Sequence, residues 1–119
     1  MNTFLESVVP EEEDIVEPMF AGLPVIYLLE GEEELGQVIF DSIPGEIPAV
    51  KIYWLQVHDE FQGKGFGKLL LKEFITRYKE YNILLDVLPT NFIALKLYKS
   101  FGFVEISSDK QLIQLKLEN

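Results

Sequence analysis

The chain reads as an α/β fold, a mixed sheet with helices over its faces. Runs rich in Val, Ile, Tyr and Trp fill residues 23–57, a helical apolar period begins at Phe66, and strand-like and helical stretches then alternate to the C-terminus. At 119 residues and 48% hydrophobic, the chain is long enough for one packed core and too short for two, so a single domain over 1–119 is expected.

The opening stretch, Met1 to Gly22, holds the acidic run Glu11-Glu12-Glu13-Asp14 between Pro10 and Pro18 and keeps neither period. It is expected to be irregular or loosely held. Leu23 to Leu29, Leu35 to Asp41 and Val50 to Val57 read as three strands. Glu30-Gly31-Glu32-Glu33-Glu34 and Pro44-Gly45-Glu46-Ile47-Pro48 are turn-prone links, which makes the three a meander in a mostly antiparallel sheet.

From Phe66, apolar residues at Leu70, Phe74 and Tyr78 against polar Lys68, Lys72, Thr76 and Lys79 predict an amphipathic helix. Ile83 to Leu88 is a short buried strand. Asn91 is a plausible N-cap for a second helix to about Phe101, and Gly102 stands where a helix end favours glycine. Phe103 to Ile106 and Gln111 to Leu117, joined by Ser107-Ser108-Asp109-Lys110, close the chain as a hairpin.

Charge and composition narrow the chemistry. Residues 1–60 carry fourteen acids and one base, residues 61–119 nine bases and six acids. That asymmetry fits a C-terminal half that holds a polyanion and an N-terminal half that attracts a cation, although an acidic surface also serves solubility alone. The net charge of −10 disfavours nucleic acid as a partner. Absence of cysteine excludes disulfides and thiolate metal sites, and one histidine leaves little for a metal, so none is expected. No apolar run is long enough to span a membrane and no signal peptide is visible, so a cytoplasmic location without membrane partners is expected.

The junction between strand and helix carries the strongest signal, Gln62-Gly63-Lys64-Gly65-Phe66-Gly67-Lys68. Glycines at 63, 65 and 67 free the backbone to approach an anion, the helix N-terminus adds partial positive charge, and Lys64 and Lys68 add whole charges. The nucleoside-triphosphate loop fails here at Gln62 and Leu69, and the dinucleotide fingerprint fails at Lys68. A plain tight turn would also use glycine, but three glycines with two lysines suit a pyrophosphate better.

Leu55 to Gly67 resembles the signature of the GNAT superfamily of N-acetyltransferases, a strand followed by [Q/R]-x-x-G-x-[G/A] at a helix start, with Gln62, Gly65 and Gly67 at the defining places. Asn91 to Phe103 is similar to that family's N-x-x-A-x-x-x-Y-x-x-x-G-F helix at every defined position. Asp59 departs from the pattern, standing where proline is common. Family members also carry two helices between their first strands, so the short N-terminal stretch implies a truncated acceptor side.

The resemblance implies acetyl-CoA as co-substrate. Its pyrophosphate would lie on the Gly63–Lys68 amides, its pantetheine arm along Leu55 to Val57 and near Asn91. An amine would attack the thioester directly, an amide near Val57 would hold the oxyanion, and Tyr98 would protonate the thiolate. Tyr98 also has the spacing of a core tyrosine, and Asn91 that of an ordinary cap. A base is less evident: His58 is the only imidazole and Asp86 the only acid on the strand after the first helix, while water-relayed deprotonation, or none, is an equal alternative. The acceptor is expected to be a cationic amine, small or on a protein, with a homodimer as one way to complete the site. A non-catalytic coenzyme A-binding module acting through a protein partner is the alternative function.

Overall fold

The computed structural model describes residues 3–8 and 22–118. Seven strands form one sheet in the order β1-β2-β3-β4-β5-β7-β6: β1 (Thr3–Val8), β2 (Val25–Glu30), β3 (Glu33–Ile43), β4 (Ala49–Val57), β5 (Asn82–Val87), β6 (Val104–Ser108) and β7 (Ile113–Leu117). Helices α1 (Phe66–Arg77) and α2 (Phe92–Ser100) connect β4 to β5 and β5 to β6. Every pairing is antiparallel except β4 with β5, which are parallel because α1 crosses back between them. The mixed, mostly antiparallel sheet with flanking helices is the architecture the sequence predicts.

One expectation needs correction. Thr3–Val8, read as irregular, is a strand paired antiparallel with β2, from Thr3 opposite Glu30 to Val8 opposite Val25. Local periodicity is weak there, and a strand gains its order from the ladder it joins, here the free edge of β2. The remaining expectation for that stretch, the acidic run 11–14 included, falls outside the described residues.

Alternation along the strands sorts side chains to two faces. Ile26, Leu28, Val38, Phe40, Val50, Ile52, Ile83, Leu85 and Leu115 make one core with Leu70, Leu71 and Phe74 of α1. Phe40 packs edge-on against Phe74 at 5.3 Å between ring centroids. Half-buried Leu95, Leu97 and Tyr98 lay α2 on the same core. On the opposite face, Val25 and Ile39 gather with Tyr27 and Trp54 in a smaller cluster.

The feature that opens the sheet lies in β4. Ile39 pairs with Trp54 and Phe40 with Ile52, leaving Tyr53 as an extra residue, a β-bulge. The bulge reverses the side-chain parity, so that Val50 and Ile52 before it and Leu55 and Val57 after it all reach the helix-covered core. Pairing of β4 with β5 ends at the same level, with Ile52 opposite Leu85. Beyond that point β4 still pairs with β3 to Val57, while its other side faces a gap.

Candidate functional site

The gap is a cleft of about 260 Å³ between the diverging strands. Tyr53 to Gln56 of β4 form one wall, Asp86 to Leu88 of β5 the other, and Asn91, Ala94 and Tyr98 of α2 close it from the helical face. Backbone groups of β4 that turn towards β5 in this stretch meet no strand among the described residues, which leaves a half-ladder open to an extended ligand.

At the mouth of the cleft the chain leaves β4 through a 3-10 turn, Asp59–Phe61, and enters the glycine loop. Gly63 and Gly65 hold φ of 78° and 85°, left-handed backbone that side chains rarely adopt, and a Cβ on either would meet nothing within 4 Å. They are therefore required by conformation, and no described residue fills the space before them. Leu69 donates the first helical hydrogen bond, to the Gly65 carbonyl at 3.1 Å, so the amides of Phe66, Gly67 and Lys68 project from the helix end. The first turn of α1 carries no acid to compete for those amides. This concavity, with Lys64 and Lys68 exposed beside it, can take a pyrophosphate.

Each residue singled out in the sequence has a definite position. Gln62 turns its side chain onto the protein, Nε2 donating to the Val57 carbonyl at 3.0 Å and to Asp59 Oδ1 at 3.3 Å. Its contribution is to the loop's shape, and Asp59, in place of the usual proline, is the second anchor of that clamp. Phe66 buries its ring in the core against Phe61, with only its amide towards the loop. Gly67 has Val57 Cγ2 at 3.7 Å from its ideal Cβ, an ordinary contact. Leu55 lines the cleft, while Val57 is buried at the strand's end.

Asn91 does two things at once. Its Oδ1 accepts from the Ala94 amide at 3.2 Å as the cap of α2, and the residue also lines the cleft. Tyr98 lies on the cleft's helical wall, its ring 5.8 Å from Phe103. Among the described residues its hydroxyl has no hydrogen-bond partner, and burial pushes its pKa above the ordinary value of 10.0. A phenol that stays protonated and faces a cleft can act as a proton donor.

His58 does not line the cleft. Its amide donates to the Leu35 carbonyl and its Nε2 lies 3.4 Å from Glu34 Oε1, because β4 has left the gap by this point and the ring turns towards the β2–β3 hairpin. Sequence reasoning missed two residues, Gly36 and Gln56, and the pairing of a third, Asp86. Gly36, opposite Val57, is glycine because a Cβ there would come within 2.6 Å of the Gln56 carbonyl oxygen. Gln56, in the cleft wall, accepts from Trp54 Nε1 at 3.0 Å. Asp86, also in the wall, is ion-paired with Lys51 at 3.0 Å. Gly36 leaves a mark in the sequence as a glycine inside a strand pattern and Asp86 as the only acid on its strand, but neither mark reveals its partner.

A model of the Acetyltransferase (GNAT) family matches residues 2–103. The chain belongs to the GNAT family. It is 40% identical over 75 residues to an uncharacterized N-acetyltransferase of Dictyostelium discoideum, an overlap of 54% of this chain and 35% of that one, so the GNAT chain spans about a third of the length of that relative. A GNAT family acetyltransferase from Elizabethkingia anophelis, solved with acetyl-CoA bound, superposes with a TM-score of 0.77 at 18% identity over 99% of both chains. The ribosomal-protein-S18-alanine N-acetyltransferase of Escherichia coli superposes at 0.70 with 17% identity, over 96% of this chain and 93% of that one. At such identity the likeness is one of fold. Among the described residues of this GNAT domain no helix is long and apolar enough to cross a membrane, and no three or more His, Cys, Asp or Glu side chains gather as metal ligands.

Proposed function

We propose that this GNAT domain moves an acetyl group from acetyl-CoA directly to a primary amine. The observation that carries the reading is the half-buried Tyr98, whose hydroxyl has no hydrogen-bond partner among the described residues, in a cleft that has an open strand edge on one side and an anion-receptive glycine loop at its mouth. The pyrophosphate lies against the amides of Gly63 to Lys68, with Lys64 and Lys68 adding charge, and the pantetheine arm runs along Leu55 to Val57 as an added strand beside Asn91. Gln62 keeps the loop in register with the strand.

The amine nitrogen attacks the thioester carbon, forming the C–N bond as the carbonyl electrons move to oxygen, where an amide of the open β4 edge near Val57 meets them. Collapse breaks the C–S bond. Sulfur takes the Tyr98 proton, and the phenolate recovers one from the adduct nitrogen, so that atoms and charge balance without an acyl-enzyme. His58 lies outside the cleft, and water in this open site relays the amine's proton. The acceptor is a cationic amine, small or on a protein: the E. coli relative is named for acetylating an alanine of a ribosomal protein, and the acid-rich N-terminal half suits a cation. The reaction belongs to the cytoplasm, where acetyl-CoA is at hand.

Titration calorimetry with acetyl-CoA, coenzyme A and adenosine diphosphate, followed by an amine panel, tests this. Selective micromolar binding of the coenzyme A forms with transfer to at least one amine is expected. Binding without transfer would leave a non-catalytic coenzyme A module, and no binding would remove the reading altogether.

A further inference from the structure

The cleft passes through the sheet, and its two faces differ in chemistry. Val50, Ile52, Ile83 and Leu85 point to the core under α1 and α2. Alternation therefore sends Lys51 and Asp86 to the opposite face. Tyr98 and Asp86 both line the cleft, one from the helical wall and one from the far face of β5. A donor entering from the glycine loop leaves the Asp86 side as the approach for the second substrate.

Asp86 has a cation already. Lys51 Nζ lies 3.0 Å from Asp86 Oδ2, with both side chains partly exposed. The same ammonium lies 5.5 Å from the centroid of the Tyr53 ring, at the bulge and in the cleft wall, and Lys51 faces Asp41 across the β3–β4 ladder. Lys51 thus has two other seats, an aromatic face and a second carboxylate. Lys116, on the same face of neighbouring β7, is held by Glu118 at 3.2 Å and does not compensate Asp86.

We infer that Asp86 is the carboxylate that receives the acceptor's ammonium group, and that Lys51 is an internal stand-in which the acceptor displaces. The inference rests on the acetyl-transfer reading above and names the acceptor's anchor within that site. An alkylammonium has the charge and hydrogen-bonding capacity of the Lys51 head group, so a pocket that seats one seats the other. Displacement moves Lys51 towards Tyr53 and Asp41 without uncovering an unpaired buried charge. Affinity for the acceptor is then a competition, in which one member of the ion pair helps binding and the other opposes it.

That opposition separates the idea from a structural salt bridge, whose loss has the same consequence whichever partner is removed. Steady-state kinetics with 1,3-diaminopropane, spermidine, lysine ethyl ester and an alanine-initiated peptide, at saturating acetyl-CoA, supply the readout. Asp86→Asn is expected to raise KM for the accepted amine at least tenfold, with Asp86→Glu recovering part of the loss. Lys51→Met is expected to lower KM at least threefold, and calorimetry should give unchanged acetyl-CoA affinity in all three variants. A shift of KM in the same direction for Asp86→Asn and Lys51→Met, or no shift in Asp86→Asn, overturns the inference while leaving acetyl transfer intact. Failure of the unsubstituted protein to acetylate any amine overturns both.

Discussion

The two halves of β4 divide the work of the molecule. From Ala49 to Ile52 the strand is interior, flanked by β3 on one side and β5 on the other, with Val50 and Ile52 in the main core. From Tyr53 to Val57 it is flanked, among the described residues, on one side only. A single extra residue, Tyr53, makes the difference. The bulge bends and twists the strand, which carries β4 away from β5 and converts a sheet interior into the wall of a cleft. Substitutions in the first half should thus read out in stability, and those at the end of the second half in ligand binding.

Ile52→Ala sharpens that division most. The side chain is 5% exposed and lies between Phe40 and Leu85 in the register, so its loss should cost about 2–5 kcal/mol in denaturant unfolding, the range for large core truncations. Acetyl-CoA affinity of the folded fraction should hold. Gly65→Glu should do the reverse, weakening acetyl-CoA binding at least a hundredfold by placing a like charge before the loop amides. Because the φ of 85° strains any side chain, Gly65→Asn serves as the control: it tolerates left-handed backbone, adds no charge, and should retain most of the affinity. Equal losses in the two variants would mean that loop conformation, and not charge at an anion site, is being measured.

The same division governs what was legible in the sequence. The loop at 62–67 and the helix 92–100 were legible because each local demand has its own residue type: left-handed backbone asks for glycine at 63, 65 and 102, and a helix start asks for a cap at Asn91. The bulge was hidden, since Ile52, Tyr53, Trp54 and Leu55 are all apolar and a parity shift within them leaves no trace in the pattern. Gly36 and the Lys51–Asp86 pair depend on neighbours far along the chain, and β1 on a pairing partner. His58 is conspicuous in the sequence as the only imidazole, yet position in the fold turns it to Glu34.

Tyr98→Phe tests the cleft's far wall. Turnover should fall at least tenfold with acetyl-CoA affinity unchanged, as expected when a general acid is lost. Burial raises the Tyr98 pKa above 10.0, so the acid form persists through neutral and moderately alkaline pH, and no loss of rate from its ionisation should occur below about pH 10. The folded state keeps a proton that the unfolded chain releases near pH 10. The associated stability is present below that value and is lost as pH rises through the folded-state pKa. Unfolding midpoints above pH 10 should therefore drop more steeply in the parent protein than in Tyr98→Phe.

Gly67→Ala gives the smallest effect on the fold and the finest separation of folding from binding. Gly67 is the second residue of α1, its φ is not left-handed, and the contact its Cβ would make with Val57 is of ordinary length. Alanine should be accommodated, and the helix-propensity difference favours it by up to about 1 kcal/mol in a helix interior and less at this end. If no ligand approaches the backbone at this position, thermal unfolding and acetyl-CoA affinity should both be unchanged or improved. If glycine is present so that a phosphate can approach the backbone of the helix start, affinity should fall while the melting temperature holds or rises. Opposite movement of the two quantities would assign the third glycine of the loop to the ligand; parallel movement would leave it without that role.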